Sequence, residues 1–225
     1  MMRQEKNVMV NLLDKAISAM RPVLTPYQGK ATTGNAAENT AENTAVILTE
    51  LACLDYLNVR IRATDEQARH QAAKVLGAEL PSISQFCSNS GNTLLGIGPS
   101  EWLVVLPSGE AAKVQNELVA ALGDAHHLVV DVTGGTTQLR VTGEKARAVL
   151  EKGAYVDLHP RIFKSGQHYA TVLSGAPTVI MCYGDNDYAL LVRRSFSDHV
   201  ARWAIDAASE YGFTVTAPAL KSTAE

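Results

Sequence analysis

The sequence predicts an α+β protein made of two tandem halves of β-α-β-β type, with antiparallel sheets. Three observations point there. Short segments alternate apolar and polar residues with period 2, the signature of half-buried strands. Longer segments between them gather apolar residues on one helical face. After Gly134-Gly135 the order of these elements largely begins again.

The start of the chain is different. Asn11 to Met20 reads as a short helix with Leu12, Leu13, Ala16, Ile17 and Met20 on one face. Arg21-Pro22 and Thr25-Pro26 are expected to stop it, because proline cannot continue a helix and constrains the residue before it. The direct repeat Ala37-Glu38-Asn39-Thr40, Ala41-Glu42-Asn43-Thr44 follows. Such small polar residues bury too little apolar area to offset ordering entropy. Residues 1–45 are therefore read as a flexible arm, or one that orders only against a partner.

Residues 46–225 read as a compact domain of two halves, about 46–133 and 134–225. In the first half, Leu57 to Arg62 alternates as a strand, and Asp65 caps a helix carrying Ala68, Ala72 and Leu76 that ends at Gly77. A polar, proline-containing connection runs from Leu80 to Ser90. Thr93–Gly98 and Glu101–Leu106 are strands around a Gly-Pro-Ser turn. Pro107-Ser108-Gly109 opens a helix with Val114, Leu118 and Leu122 inward, and Leu128–Val132 is a further strand. The second half gives a strand at Thr137–Val141, a helix from Gly143 to Lys152, and strands at Tyr169–Leu173, Thr178–Tyr183 and Tyr188–Val192. Ser195 is the expected cap of a last helix with Phe196, Val200, Trp203, Ala204 and Ala207 on one face, and Val215 adds a short strand.

Composition narrows the function classes. With 46% hydrophobic and 19% charged residues the chain is of globular type. Its formal net charge is −3 and its 20 basic residues are dispersed, so the basic stripe of a nucleic-acid binder is missing. No apolar run approaches the roughly 20 residues that span a bilayer. The polar start Met1-Met2-Arg3-Gln4-Glu5-Lys6 does not read as a signal peptide. Cys53, Cys87 and Cys182 are odd in number and widely spaced, which predicts buried free thiols and a cytoplasmic setting.

Catalytic signatures are weak. Gly96-Ile97-Gly98 precedes a strand and Gly134-Gly135 lies between strands, so neither presents N–H groups at a helix start for phosphate. The six histidines lack a second ligand at metal spacing and are read as surface or capping groups. Ser174-Gly175 and Ser195 have no base at recognisable spacing. Trp102 and Trp203 are read as core. Arg193-Arg194 with Phe196, at a strand end before the last helix, reads either as a solvated corner or as an interface anchor, since arginine and aromatics are enriched in interface hot spots. The segment Leu158 to Phe163 reads as core packing or a docking loop.

Three stretches together resemble the sarcosine oxidase gamma family. They are Leu95-Gly96-Ile97-Gly98-Pro99-Ser100-Glu101-Trp102-Leu103; the run from Asp131-Val132-Thr133 through Leu139–Leu150 to Asp157-Leu158; and Arg193-Arg194-Ser195-Phe196 through Trp203. The resemblance covers about 46–212. It implies the aminomethyltransferase folate-binding fold, in agreement with the doubled pattern. It also implies a cytoplasmic four-subunit enzyme that oxidatively demethylates sarcosine to glycine, yielding hydrogen peroxide and methylene-tetrahydrofolate or formaldehyde. Alpha, beta and delta subunits are the implied partners, and FAD, FMN, NAD, tetrahydrofolate and zinc sit on them. No cofactor, metal or catalytic residue is assigned to this chain, and Arg193, Arg194, Phe196 and Phe163 are its candidate subunit-interface residues.

His199 stands where the family often has an aromatic, and the repeat-bearing arm is foreign to it. A sister complex acting on another N-methyl amino acid, such as N-methylglutamate, is the alternative. A free-standing folate-dependent aminomethyltransferase-like protein is another, with Asp131 and Asp157 as the carboxylates to test.

Overall fold

The structure, a computed structural model, describes residues 18–32 and 45–216. The Ala37–Thr44 repeat and most of the helix expected over Asn11–Met20 lie outside these residues. The first described element is a short helix, α1 (Arg21–Leu24), followed by a 3-10 turn over Thr25–Tyr27. Pro22, expected to stop a helix, instead begins one. In a first turn its missing N–H forfeits no bond and its fixed φ is already helical. Met20, Val23 and Leu24 are buried, so residues 18–32 pack on the body of the protein, where the sequence reading placed a flexible arm.

After β1 (Ala31–Thr32), the first half gives β2 (Val46–Leu51), β3 (Asp55–Ile61), α2 (Glu66–Leu76), β4 (Phe86–Asn89), β5 (Asn92–Gly98), β6 (Glu101–Leu106), α3 (Ala111–Leu122) and β7 (His127–Asp131). Asp65 caps α2 as expected, accepting from Ala68 N at 2.9 Å. The second half contributes β8 (Thr136–Thr142), α4 (Ala146–Glu151), β9 (Gln167–Leu173), β10 (Ala176–Gly184), β11 (Asp187–Arg193), α5 (Ser197–Ser209) and β12 (Phe213–Thr216). A 3-10 turn, Arg194–Phe196, precedes α5, so Ser195 is not its cap.

Among the described residues the strands form two sheets. The five-stranded sheet runs β4-β5-β6-β3-β7, and the seven-stranded sheet runs β1-β12-β2-β8-β11-β10-β9. Pairings are antiparallel except for β12 beside β2. The division near residue 133 therefore separates α2 and α3 from α4 and α5 but does not separate the strands, since β1 and β2 join the sheet of the second half.

Packing follows the alternation of side chains. Leu57, Val59, Leu94, Trp102 and Val104 turn toward α2 and α3. Leu48, Leu139, Val141, Ile180 and Leu190 turn toward α1, α4 and α5. The opposite faces of the sheets meet through Tyr56, Phe86, Leu95, Val105, Met181 and Leu191, giving the order helices, sheet, sheet, helices. Each fully buried side chain of the leucine or methionine class contributes about 1.5–3 kcal/mol by leaving water. At one side the sheets are also bonded: Phe86 N donates to Gly166 O at 2.7 Å and His168 N to Ser84 O at 2.9 Å.

Gly96 has a steric reason. A Cβ there would lie 2.2 Å from the Ser82 carbonyl oxygen, because the 80–85 connection crosses directly over β5. The same crossing lets the Trp102 indole N–H donate to Pro81 O at 2.9 Å.

Candidate subunit interface

The corner where β11 runs into α5 carries the arginines singled out from the sequence. Arg193 and Arg194 are both exposed, Phe196 is 36% exposed, and Arg194 N donates to Gly135 O at 3.0 Å. Behind this corner lies Glu50 of β2, 2% exposed. Its carboxylate accepts from the Ser18 hydroxyl, from Met20 N at 3.1 Å and from the Thr137 hydroxyl at 3.2 Å. Burial lifts the Glu50 pKa above the ordinary carboxylate range, while the Met20 and Thr137 bonds and the Arg194 charge pull it part of the way back. Ser197 Oγ completes the clamp, 2.7 Å from Arg194 O and 3.3 Å from Ala19 O.

The corner is thus organised by the chain's own residues 18–20, with Arg193 and Phe196 turned outward. Glu50 is the residue that the sequence reading missed. Its signal was the period-2 pattern of Val46, Leu48 and Glu50, which places a carboxylate on the apolar face of a strand.

Phe163 is placed elsewhere. It is 2% exposed and stacks on Tyr169 at 4.5 Å between centroids, so the Leu158 to Phe163 segment is core packing at this position. Its neighbour Ile162, 54% exposed, is the outward residue.

The other candidates resolve individually. Asp131 accepts from Thr133 N and Asp157 from His159 N, each at 2.8 Å, so both carboxylates close their own turns. His168, read as a surface group, is buried, and Nε2 meets Gly96 O at 3.1 Å. Burial lowers its pKa, which favours the neutral imidazole. His127 and His199 contact backbone carbonyls of Ala125 and Ser174, both at 2.7 Å. Trp102 is core, as expected. The thiols differ from the expectation: Cys182 is buried, Cys87 half-buried and Cys53 exposed. Among the described residues, no group of three or more His, Cys, Asp or Glu side chains is placed to hold a metal ion. No described helix is long and apolar enough to cross a membrane.

The model of the sarcosine oxidase, gamma subunit family matches residues 60–210, a span that contains all three resembling stretches. The chain belongs to this family. Sarcosine oxidase subunit gamma from Arthrobacter sp is 35% identical over 170 residues, 74% of this chain and 82% of that one. Among solved structures, heterotetrameric sarcosine oxidase from Corynebacterium sp. U-96, in complex with pyrrole 2-carboxylate, matches at TM-score 0.74 and 27% identity. That match covers 87% of this chain and 95% of the other. Aminomethyltransferase T of the glycine cleavage system from Bartonella henselae shares the fold, at TM-score 0.56 and 14% identity over 77% of this chain and 48% of that one. The gamma-family chain thus has the α+β architecture of an aminomethyltransferase neighbour, as the doubled pattern predicted.

Proposed function

We propose that this chain is the gamma subunit of a heterotetrameric sarcosine oxidase, and that it serves assembly and not chemistry. The observation that carries the reading is the match to the U-96 enzyme, which runs over nearly the whole of both chains at TM-score 0.74. In this reading alpha, beta and delta subunits are its partners in the cytoplasm. FAD, FMN, NAD, tetrahydrofolate and zinc belong to those partners, where sarcosine is oxidatively demethylated to glycine. Engagement of Asp131 and Asp157 in their own turns supports placing the folate chemistry outside this chain. Arg193, Arg194 and Phe196 form one partner-facing corner. A stable contact buries on the order of 1,000 Å² or more in total, so other surface must take part.

Tagged protein co-expressed with its genomic neighbours tests the reading by flavin absorbance and by the masses that co-purify. A yellow complex with two larger chains and a small one is expected, and N-methyl amino acids, N-methylglutamate included, then rank the substrates. A colourless solitary chain refutes it. Arg194→Ala is expected to weaken assembly without changing the flavin content of the remaining subunits. Unchanged assembly would remove Arg194 from the interface and leave the family assignment intact.

A further inference from the structure

Two neighbouring strands of the five-stranded sheet are equally uncovered and chemically opposite. The seven-stranded sheet covers Tyr56, Leu95 and Val105 but not the far end of β3 nor any of β7. On β3 the outward positions are polar, as a solvated face requires: Asn58 and Arg60, with Arg62 just beyond the strand end. On β7 the positions beside them are Val130, opposite Asn58, and Leu128, opposite Arg60. Val132 extends the column by donating its N–H to Tyr56 O at 2.9 Å. Leu128, Val130 and Val132 are 47%, 38% and 38% exposed. Val129, which points to the other face, packs under α3. The covered side of the strand carries His127, Val129 and Asp131, so its apolar residues lie mainly on the side this chain leaves open. Scattered exposed apolar residues need no explanation, but a contiguous column of them marks an interaction surface.

The column ends among cations. A depression of about 510 Å³ opens at Leu128, lined by Arg60, Arg62, His126 and Glu101. Glu101 accepts from Asn58 at 2.8 Å and from Arg60 at 2.9 Å, and it neutralises Arg60. Arg62 has no acidic partner among the described residues.

We infer that the Leu128, Val130 and Val132 column, with Arg62 at its end, is a docking face for a larger subunit of the oxidase, one presenting an apolar ridge followed by a carboxylate. This rests on the gamma-subunit reading above. Docking is through side chains, because Gln115 of α3 already donates to Val129 O at 2.9 Å and takes the central acceptor on the outer edge of β7. A second copy fits poorly. A two-fold axis across the column would bring the Val132 end, with Thr133, Gly134 and Gly135, onto the cations, and one along the column would set Arg62 against Arg62. Asp131, the nearby acid, falls on the opposite face by alternation.

The test uses the full chain co-expressed with its neighbours. Val130→Glu and Arg62→Glu are compared with wild type for co-purification, and each isolated variant is melted to verify its fold. The expected result is unchanged melting with affinity weakened on the order of tenfold or more, as for loss of an interface anchor. Hydrogen exchange of the wild-type complex should show residues 127–132 protected relative to the isolated chain. If wild type forms no complex, the subunit reading itself fails. If wild type assembles and both variants assemble equally well, this face is not the interface. If the isolated chain is a dimer that Val130→Glu converts to monomer, the occupant is a second copy and the inference is overturned.

Discussion

Gly96→Ala is expected to be among the most damaging single-methyl additions to this protein. The new Cβ would stand 2.2 Å from Ser82 O, 2.7 Å from Ser82 C and 2.8 Å from Pro81 O, all of them backbone atoms that cannot swing aside. Relief requires lifting the 80–85 connection by about 1 Å to restore van der Waals separation. Two hydrogen bonds use the carbonyls being displaced: Trp102 Nε1 to Pro81 O at 2.9 Å and Gln85 N to Ser82 O at 3.1 Å. Overpacking costs about 1–3 kcal/mol, and each disturbed hydrogen bond about 0.5–1.5 kcal/mol. A central total of about 4 kcal/mol lowers the melting temperature of a chain this size by about 8–16 °C. Thermal unfolding followed by circular dichroism measures the loss, and near-ultraviolet dichroism reports Trp102. Gly98→Ala is the control, since its nearest contact, Glu101 Cβ at 3.3 Å, is a tight one but stands well beyond the 2.2 Å met at Gly96. If Gly96→Ala melts with the wild type, backbone crowding is not why glycine stands there, and the Gly96-Ile97-Gly98 pair again needs a functional explanation.

Glu50→Ala should release residues 18–20 by removing the acceptor of the Ser18, Met20 and Thr137 donors. Leaving buried donors unsatisfied costs about 1–3 kcal/mol, and hydrogen exchange of the Met20, Val23 and Leu24 amides should quicken while the rest of the chain is unchanged; identical exchange would show that Glu50 does not hold the segment. His168 sets a pH dependence. Burial lowers its native pKa below 6.5, so the unfolded chain takes up the proton first, and stability present above pH 6.5 is lost as pH falls through the native value. Glu50 acts with the opposite sign. Its raised native pKa means the native state holds the proton longer, so its contribution grows as pH falls from that value toward 4.5. Urea midpoints measured across this range should fall toward acid less steeply in His168→Gln than in wild type, and identical curves would exclude His168 as the titrating group.

Much of the fold was legible because local pattern and final packing agree. The Leu57 to Arg62 alternation, the Asp65 cap and the inward residues of α2, α3 and α5 each carry their own evidence in a few neighbouring positions. What escaped has non-local causes. β4 buries only Phe86, so a strand sits in what reads as a polar connection. β2 joins β8 and β12, partners that lie far along the chain, and no window around Val46 reveals them. Residues 18–32 looked like an arm because their cover, β12 and α5, comes from the other end. At the candidate site the exposed corner of Arg193, Arg194 and Phe196 was legible. The burial of Phe163 was not, since its stacking partner Tyr169 belongs to a strand whose face the sequence leaves open.

The parallel pairing of β2 with β12 also bears on synthesis. Val46 faces Phe213 and Thr49 faces Thr216, so an early strand of this sheet finds one flank only when a late one has been made. At about 5–20 residues per second the ribosome separates the two by roughly 8–30 s. The five-stranded sheet, whose strands lie between Asp55 and Asp131, has all its members well before that. In a nascent chain, then, β2 waits with one edge unpaired beside a finished neighbour. Protection of that edge falls to whatever meets the polypeptide as it emerges.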